Sequence, residues 1–131
     1  MTPPQLQIRA DLAYLDDSVI ALRQVRRALS GAGIFIECYT EASELLERDR
    51  QPALSAVLLD VDLGGNIDGP SVAAHLRDAQ PTIEIAFFTA VDATTRSEEL
   101  RSVGLVFDKS GGLDDAVRWL RERTKQTPES R

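Results

Sequence analysis

A single cysteine among 131 residues excludes an internal disulfide. Cys38 falls in register with Ile34 and Ile36, which marks it as a small buried hydrophobe rather than a reactive thiol. A reducing cytoplasm is therefore the expected compartment. No run approaches the roughly 20 apolar residues that a membrane helix needs. The opening Met1-Thr2-Pro3-Pro4-Gln5 has neither a basic start nor an apolar stretch, so no secretory leader is expected. Basic charge is also in deficit: 15 Lys and Arg stand against 21 Asp and Glu, a net charge of −6. Binding to nucleic acid needs a basic footprint, and Arg23, Arg26 and Arg27 read instead as a solvated helix face. The one histidine, His75, has no metal-ligand partner at useful spacing and reads as structural.

What is present is alternation, in a chain that is 43% hydrophobic and so has enough for a core. Leu12 to Leu15 reads as a strand ending at Asp16-Asp17. A helix follows with Val19, Leu22, Val25 and Leu29 on one face, stopped by Gly31. Ile34 to Tyr39 is a second strand, and Thr40 can cap a helix carrying Ala42, Leu45 and Leu46. Leu54 to Leu59 is a third strand. Gly69-Pro70 opens a helix with Val72, Leu76 and Ala79 inward. Ile83 to Phe88 is a fourth strand, residues 93–103 a polar helix anchored by Leu100 and Val103, and Leu105 to Phe107 a fifth strand. The last helix runs from Leu113 to Thr124 with Leu113, Ala116, Val117 and Leu120 facing in. One domain is expected over residues 1–131, with a core at about 10–124 and a polar tail at 125–131. Its class is α/β: a doubly wound, five-stranded parallel sheet with five helices, flavodoxin-like (βα)5.

In such sheets the ligand site lies beyond the carboxyl ends of the strands. Polar residues gather there. Strand one ends in Asp16-Asp17, strand three in Asp60, strand four in Thr89 and strand five at Lys109. Each alone has an ordinary explanation, as a helix cap, a turn former, a good strand residue or a surface charge. Together they mark one edge of one sheet, and converging titratable groups at a ligand edge signal a functional site. Three crowded carboxylates repel one another, and a hard divalent cation such as Mg²⁺ removes that cost. A carboxylate beside such a metal can attack phosphorus, with an ammonium and a hydroxyl to meet the phosphoryl oxygens.

These residues resemble the receiver domain of two-component response regulators, the chemotaxis-receiver-like superfamily. The resemblance covers roughly residues 10–124 and rests on Asp16-Asp17, LLDVDL with Asp60, FFTA with Thr89 and FDKS with Lys109. Steps of 43, 29 and 20 residues separate Asp17, Asp60, Thr89 and Lys109. The resemblance implies that Asp60 accepts a phosphoryl group from a sensor histidine kinase or phosphotransfer protein. It implies that Asp16, Asp17, Asp60 and the main-chain carbonyl of Asp62 hold Mg²⁺, that Thr89 and Lys109 bind the phosphoryl oxygens, and that the small Ala90 leaves the phosphate accessible. It makes the chain a signalling domain rather than a turnover enzyme. The carboxylate of Asp62 reads as a solvated loop acid, with tuning of the phosphoryl lifetime as its functional reading.

The resemblance also implies an output surface formed by helix four, strand five and helix five, which meets partners or a second copy in a homodimer. Trp119 lies about 110° from the centre of the Leu113/Val117/Leu120 stripe, which predicts at least partial exposure, either as an interface anchor or as a ring packed along the edge of helix five with no partner. The chain departs from the family at three places. Ser110 follows the lysine where proline is usual, Val106 stands where a switch Tyr or Phe is common, with Phe107 adjacent, and Gly64-Gly65 replace a frequent proline.

Two other readings use the same residues. Asp60 and Asp62 resemble the aspartate pair of haloacid-dehalogenase-like phosphohydrolases, with Thr89, Lys109 and Asp114-Asp115 as later motifs. However, only 71 residues follow Asp60, and Asp16-Asp17 is left without a role. A pseudo-receiver, binding partners without phosphorylation, is invited by Ser110 and Val106 and opposed by the complete acid set.

Overall fold

In the computed structural model, residues 11–49, 53–65, 67–90 and 97–124 are described. Strands and helices alternate: β1 (Leu12–Leu15), α1 (Val19–Ser30), β2 (Glu37–Tyr39), α2 (Ala42–Leu46), β3 (Ala56–Leu59), α3 (Gly69–Ala79), β4 (Glu84–Thr89), α4 (Ser97–Arg101), β5 (Leu105–Asp108) and α5 (Leu113–Glu122). The sheet is parallel with order β2-β1-β3-β4-β5. This is the doubly wound flavodoxin-like arrangement expected from the alternation. Among the described residues no helix is long and apolar enough to cross a membrane.

Both faces of the central strands are covered, so β1 and β3 are fully buried and apolar apart from the Tyr14 hydroxyl. Strand alternation sorts their side chains into two cores. Leu12, Tyr14, Ala56, Leu58, Ala86 and Phe88 pack under α1 and α5, whereas Ala13, Leu15, Val57, Leu59, Ile85 and Phe87 pack under α2, α3 and α4. Ser18 caps α1 by accepting from the Ala21 amide, and Asp68 caps α3 by accepting from Ser71, with Pro70 in the first turn.

Several boundaries differ from the sequence expectation. β2 pairs only over Glu37–Tyr39, although Ile34 and Ile36 are buried ahead of it and Cys38 is half-buried. Edge strands lose regular pairing first, since one side has no neighbour. α2 is a single short helix whose N-cap position is Glu41, with no side-chain cap from Thr40. α1 does end at Gly31, but Gly31 is right-handed and the left-handed residue is Gly33, φ 77°. The described part of α4 ends at Arg101, and residues 93–96 of the expected helix lie outside the described residues.

The turn after α4 has a steric cause. A Cβ on Gly104 would stand 2.0 Å from the Ile85 carbonyl oxygen, so only glycine lets this turn rest on the backbone of β4. Trp119 is the clear correction: it is 6% exposed, not part of an open surface. The buried stripe of α5 comprises Ala116, Val117, Trp119 and Leu120. It is centred further round the helix than the Leu113/Val117/Leu120 line suggested. The indole packs on Phe107 with ring centroids 6.4 Å apart, and the Arg123 guanidinium covers it at 5.0 Å. Arg123 is itself paired with Glu84 at 3.3 Å.

The Gly104 contact generates a test. Gly104→Ala should cost about 2 kcal/mol of stability through overpacking. Gly65→Ala should be near neutral, because nothing lies within 4 Å of a Cβ there. Urea unfolding of the two variants against wild type measures the difference; equal stabilities would refute the contact.

Candidate functional site

The register of the sheet assembles the site. Leu15 pairs with Leu59, so the next residues, Asp16 and Asp60, leave adjacent strands side by side. Thr89 pairs with Asp108, which brings Lys109 just past the end of β4. Asp60 and Lys109 continue the pattern through their backbones: the Asp60 amide donates to Leu15 O at 2.9 Å and the Lys109 amide to Thr89 O at 3.0 Å.

All the strand-end residues singled out from the sequence meet here. Asp17, Asp60, Asp62, Gly64, Thr89, Ala90 and Lys109 line one cavity of about 400 Å³. Asp16 lies behind it, fully buried. Carboxylate oxygens of Asp16, Asp17 and Asp60 lie within 4.8 Å of one another. Asp60 and Thr89 are buried at 5% and 1% exposure, whereas Asp17 and Asp62 are exposed. The Asp62 carboxylate turns to its own loop and accepts weakly from the Gly64 amide at 3.4 Å.

Lys109 is the counter-charge. Its Nζ lies 2.6 Å from Asp16 Oδ2 and 3.3 Å from Asp60 Oδ2, and 5.9 Å from the centroid of the Phe88 ring. Burial works against its ammonium, but the two carboxylates outweigh burial and raise its pKa. Asp60 is pushed up from 3.8 to about 6, by burial first and by the Asp16 charge second, with Lys109 pulling the other way.

Four features were not found from the sequence. Tyr14 donates its hydroxyl to Asp16 Oδ2 at 2.5 Å; the signal available was a tyrosine inside an otherwise aliphatic strand. Gly69 lets the start of α3 press on the end of β3, where a Cβ would meet Asp60 O at 2.4 Å. Gly64, at φ 72°, sits where a Cβ would come 3.2 Å from Asp17 Oδ2. Asp108 holds the loop that lacks the family's proline, accepting from both the amide and the hydroxyl of Ser110 at 2.9 Å.

The donor set fits Mg²⁺: three hard carboxylates, two of them on the cavity wall, converge on one small volume. A family model described as the response regulator receiver domain matches residues 13–107, and the chain belongs to that family. Its members are in general signalling modules rather than turnover enzymes. Asp114 and Asp115, which the phosphohydrolase reading used, open α5, and Asp115 pairs with Arg118 at 3.1 Å. Comparison with curated protein sequences gives no match. Solved structures show the same fold. The receiver domain of Francisella response regulator 1452 aligns with a TM-score of 0.77 at 17% identity, over 91% of this chain and 99% of that one. The receiver domain of NtrX from Brucella abortus aligns at 0.75 and 21%, over 89% and 99%. A Burkholderia pseudomallei response regulator protein, solved with a phosphorylated aspartic acid, calcium ion and citrate, aligns at 0.73 and 20%, over 86% and 66%.

The raised pKa of Asp60 has a signed consequence. A carboxyl whose folded pKa lies above its unfolded value contributes stability below about 3.8 that is lost as pH rises through about 6. Metal-free Asp60→Asn should therefore be more stable than wild type at pH 7.5, by about 3 kcal/mol. The gain should shrink between pH 6 and pH 4. Thermal unfolding in EDTA across that range reads it, and a constant difference would show that ionisation is not the cause.

Proposed function

We propose that this receiver domain takes a phosphoryl group onto Asp60 from the phosphohistidine of a sensor kinase or phosphotransfer protein. The observation that carries the reading is the placement of Asp60: a nucleophile fixed at the end of a buried strand, opening on the cavity, with a lysine ammonium 3.3 Å away. An Asp60 Oδ attacks phosphorus as the N–P bond of the donor breaks. The bonding pair leaves with the imidazole nitrogen, and an acyl phosphate remains on Asp60. Lys109 and Thr89 receive the phosphoryl oxygens, and the small Ala90 leaves them accessible.

Asp17, Asp60 and the main-chain carbonyl of Asp62 hold Mg²⁺, with Asp16 behind them. The ion, when bound, supplies positive charge against the crowded carboxylates and the phosphoryl oxygens. Output is assigned to α4, β5 and α5, the surface for a partner or a second copy. With Trp119 buried, its apolar contact is Leu105, 56% exposed on the edge strand.

Incubation with acetyl phosphate or phosphoramidate and Mg²⁺ should add one phosphoryl group by mass spectrometry, and Asp60→Asn should abolish it. Labelling of that variant to the same extent, or none of wild type, would overturn the proposal. For the metal, Asp17→Ala should weaken Mg²⁺ binding more than Asp62→Ala, since Asp62 offers its carbonyl. The reverse order in calorimetric titration would mean that the ligand set is wrong.

A further inference from the structure

Tyr14 is 0% exposed, on a strand whose other members are Leu12, Ala13 and Leu15. An aliphatic residue would fill that place without a polar atom to satisfy, and a buried phenol must find a partner. The partner is Asp16 Oδ2, the same oxygen that receives Lys109 Nζ at 2.6 Å. The other oxygen, Oδ1, accepts from the Ser18 amide at 2.9 Å. The Asp16 carboxylate is thus held by three donors of different mobility. The amide belongs to the start of α1. The phenol is locked in the core, its ring 6.2 Å from that of Phe88. Only the lysine is on a long, half-buried side chain that also reaches Asp60.

We infer that Tyr14 is a positioning residue for the acid pocket, pinning Asp16 from the core side so that Lys109 can leave it without the carboxylate turning away. The inference rests on the phosphoryl-acceptor reading, in which Lys109 moves to the phosphoryl oxygens and a cation joins the acids. At that point the tyrosine hydroxyl and the Ser18 amide are the donors that remain on Asp16. Hydrogen-bond donors behind a carboxylate set its orientation toward a metal, and here the donor is a rigid aromatic ring rather than a flexible chain.

Calorimetric titration of Mg²⁺ into wild type, Tyr14→Phe and Tyr39→Phe at pH 7.5 tests this, with thermal unfolding of each metal-free protein alongside. Tyr39 is the control, because its hydroxyl also donates to a carboxylate, Glu37 at 2.6 Å, on the neighbouring strand. Tyr14→Phe should weaken the Mg²⁺ Kd roughly tenfold, and Tyr39→Phe should leave it within twofold of wild type. If phenylalanine does not support the fold, Tyr14→Leu carries the same expectation. A Tyr14 variant whose Kd is unchanged or tighter, whatever its Tm, overturns the inference, as does equal weakening in Tyr39→Phe. Absence of Mg²⁺ binding by wild type overturns the underlying reading as well, so the two failures are distinguishable.

Discussion

The carboxylates of Asp16, Asp17 and Asp60 lie within 4.8 Å of one another, and the rest of this edge of the molecule answers their repulsion. Two of the three are buried, where water screens them least. The fold brings them together because β1 and β3 are neighbours in the same register, and each ends its apolar run at the same height. Donors then converge from elsewhere: Lys109 from just past the far edge strand, the Ser18 amide from the N-cap of α1, and the Tyr14 hydroxyl from the core. One lysine ammonium stands against three carboxyl groups, and the pKa of Asp60 is raised by burial first and by the Asp16 charge second despite it. A site left short of positive charge is suited to a divalent cation, and a fully compensated one would not be.

Close backbone approaches serve the same edge. Asp60 must stand on a rigid strand, yet α3 has to begin almost on top of it, and Gly69 permits that approach. Beside the cavity, Gly64 keeps the space next to Asp17 free of a side chain. At the β5–α5 turn, Asp108 binds Ser110 through two hydrogen bonds, so Lys109 is presented from an ordered loop without a proline after it. These are local solutions to one requirement, which is to hold charged groups close without letting them rotate apart.

The strand-end acids, Thr89 and Lys109 were legible in the sequence because each interrupts or closes an apolar run, and the period of those runs sets the strands. Their convergence followed from the rule for parallel sheets, which needs only the order of elements. What was illegible depends on contacts between distant residues. That Lys109 pairs with Asp16 more closely than with Asp60, 2.6 Å against 3.3 Å, is a matter of side-chain reach. Tyr14 looked like one more buried apolar residue, since its hydroxyl partner two residues on had already been given another role. Trp119 was misplaced because a helical wheel centred on aliphatic residues ignores what a large ring can cover. Phe107 and Arg123 supply the far wall of its pocket, and neither lies on α5's apolar stripe.

The placement of Phe107 also bears on how a change at Asp60 can travel. Adjacent strand residues face opposite sides, and Phe107 belongs to the core under α1 and α5 while Val106 belongs to the one under α2, α3 and α4. Phe107 therefore cannot stand in for an aromatic at Val106, since it faces the other layer. α5 is tied down through Trp119 on Phe107 and through Arg123 on Glu84, which starts β4. Among the described residues of α4, by contrast, only Leu100 is buried. Local rearrangement is cheapest where buried apolar contacts are fewest. The Lys109 amide on the Thr89 carbonyl couples the site to the end of β5 through the backbone. On the proposed phosphoryl-acceptor reading, a displacement of Thr89 or Lys109 would meet α5, held through Trp119 and Arg123, on one side and α4, whose described part buries Leu100, on the other.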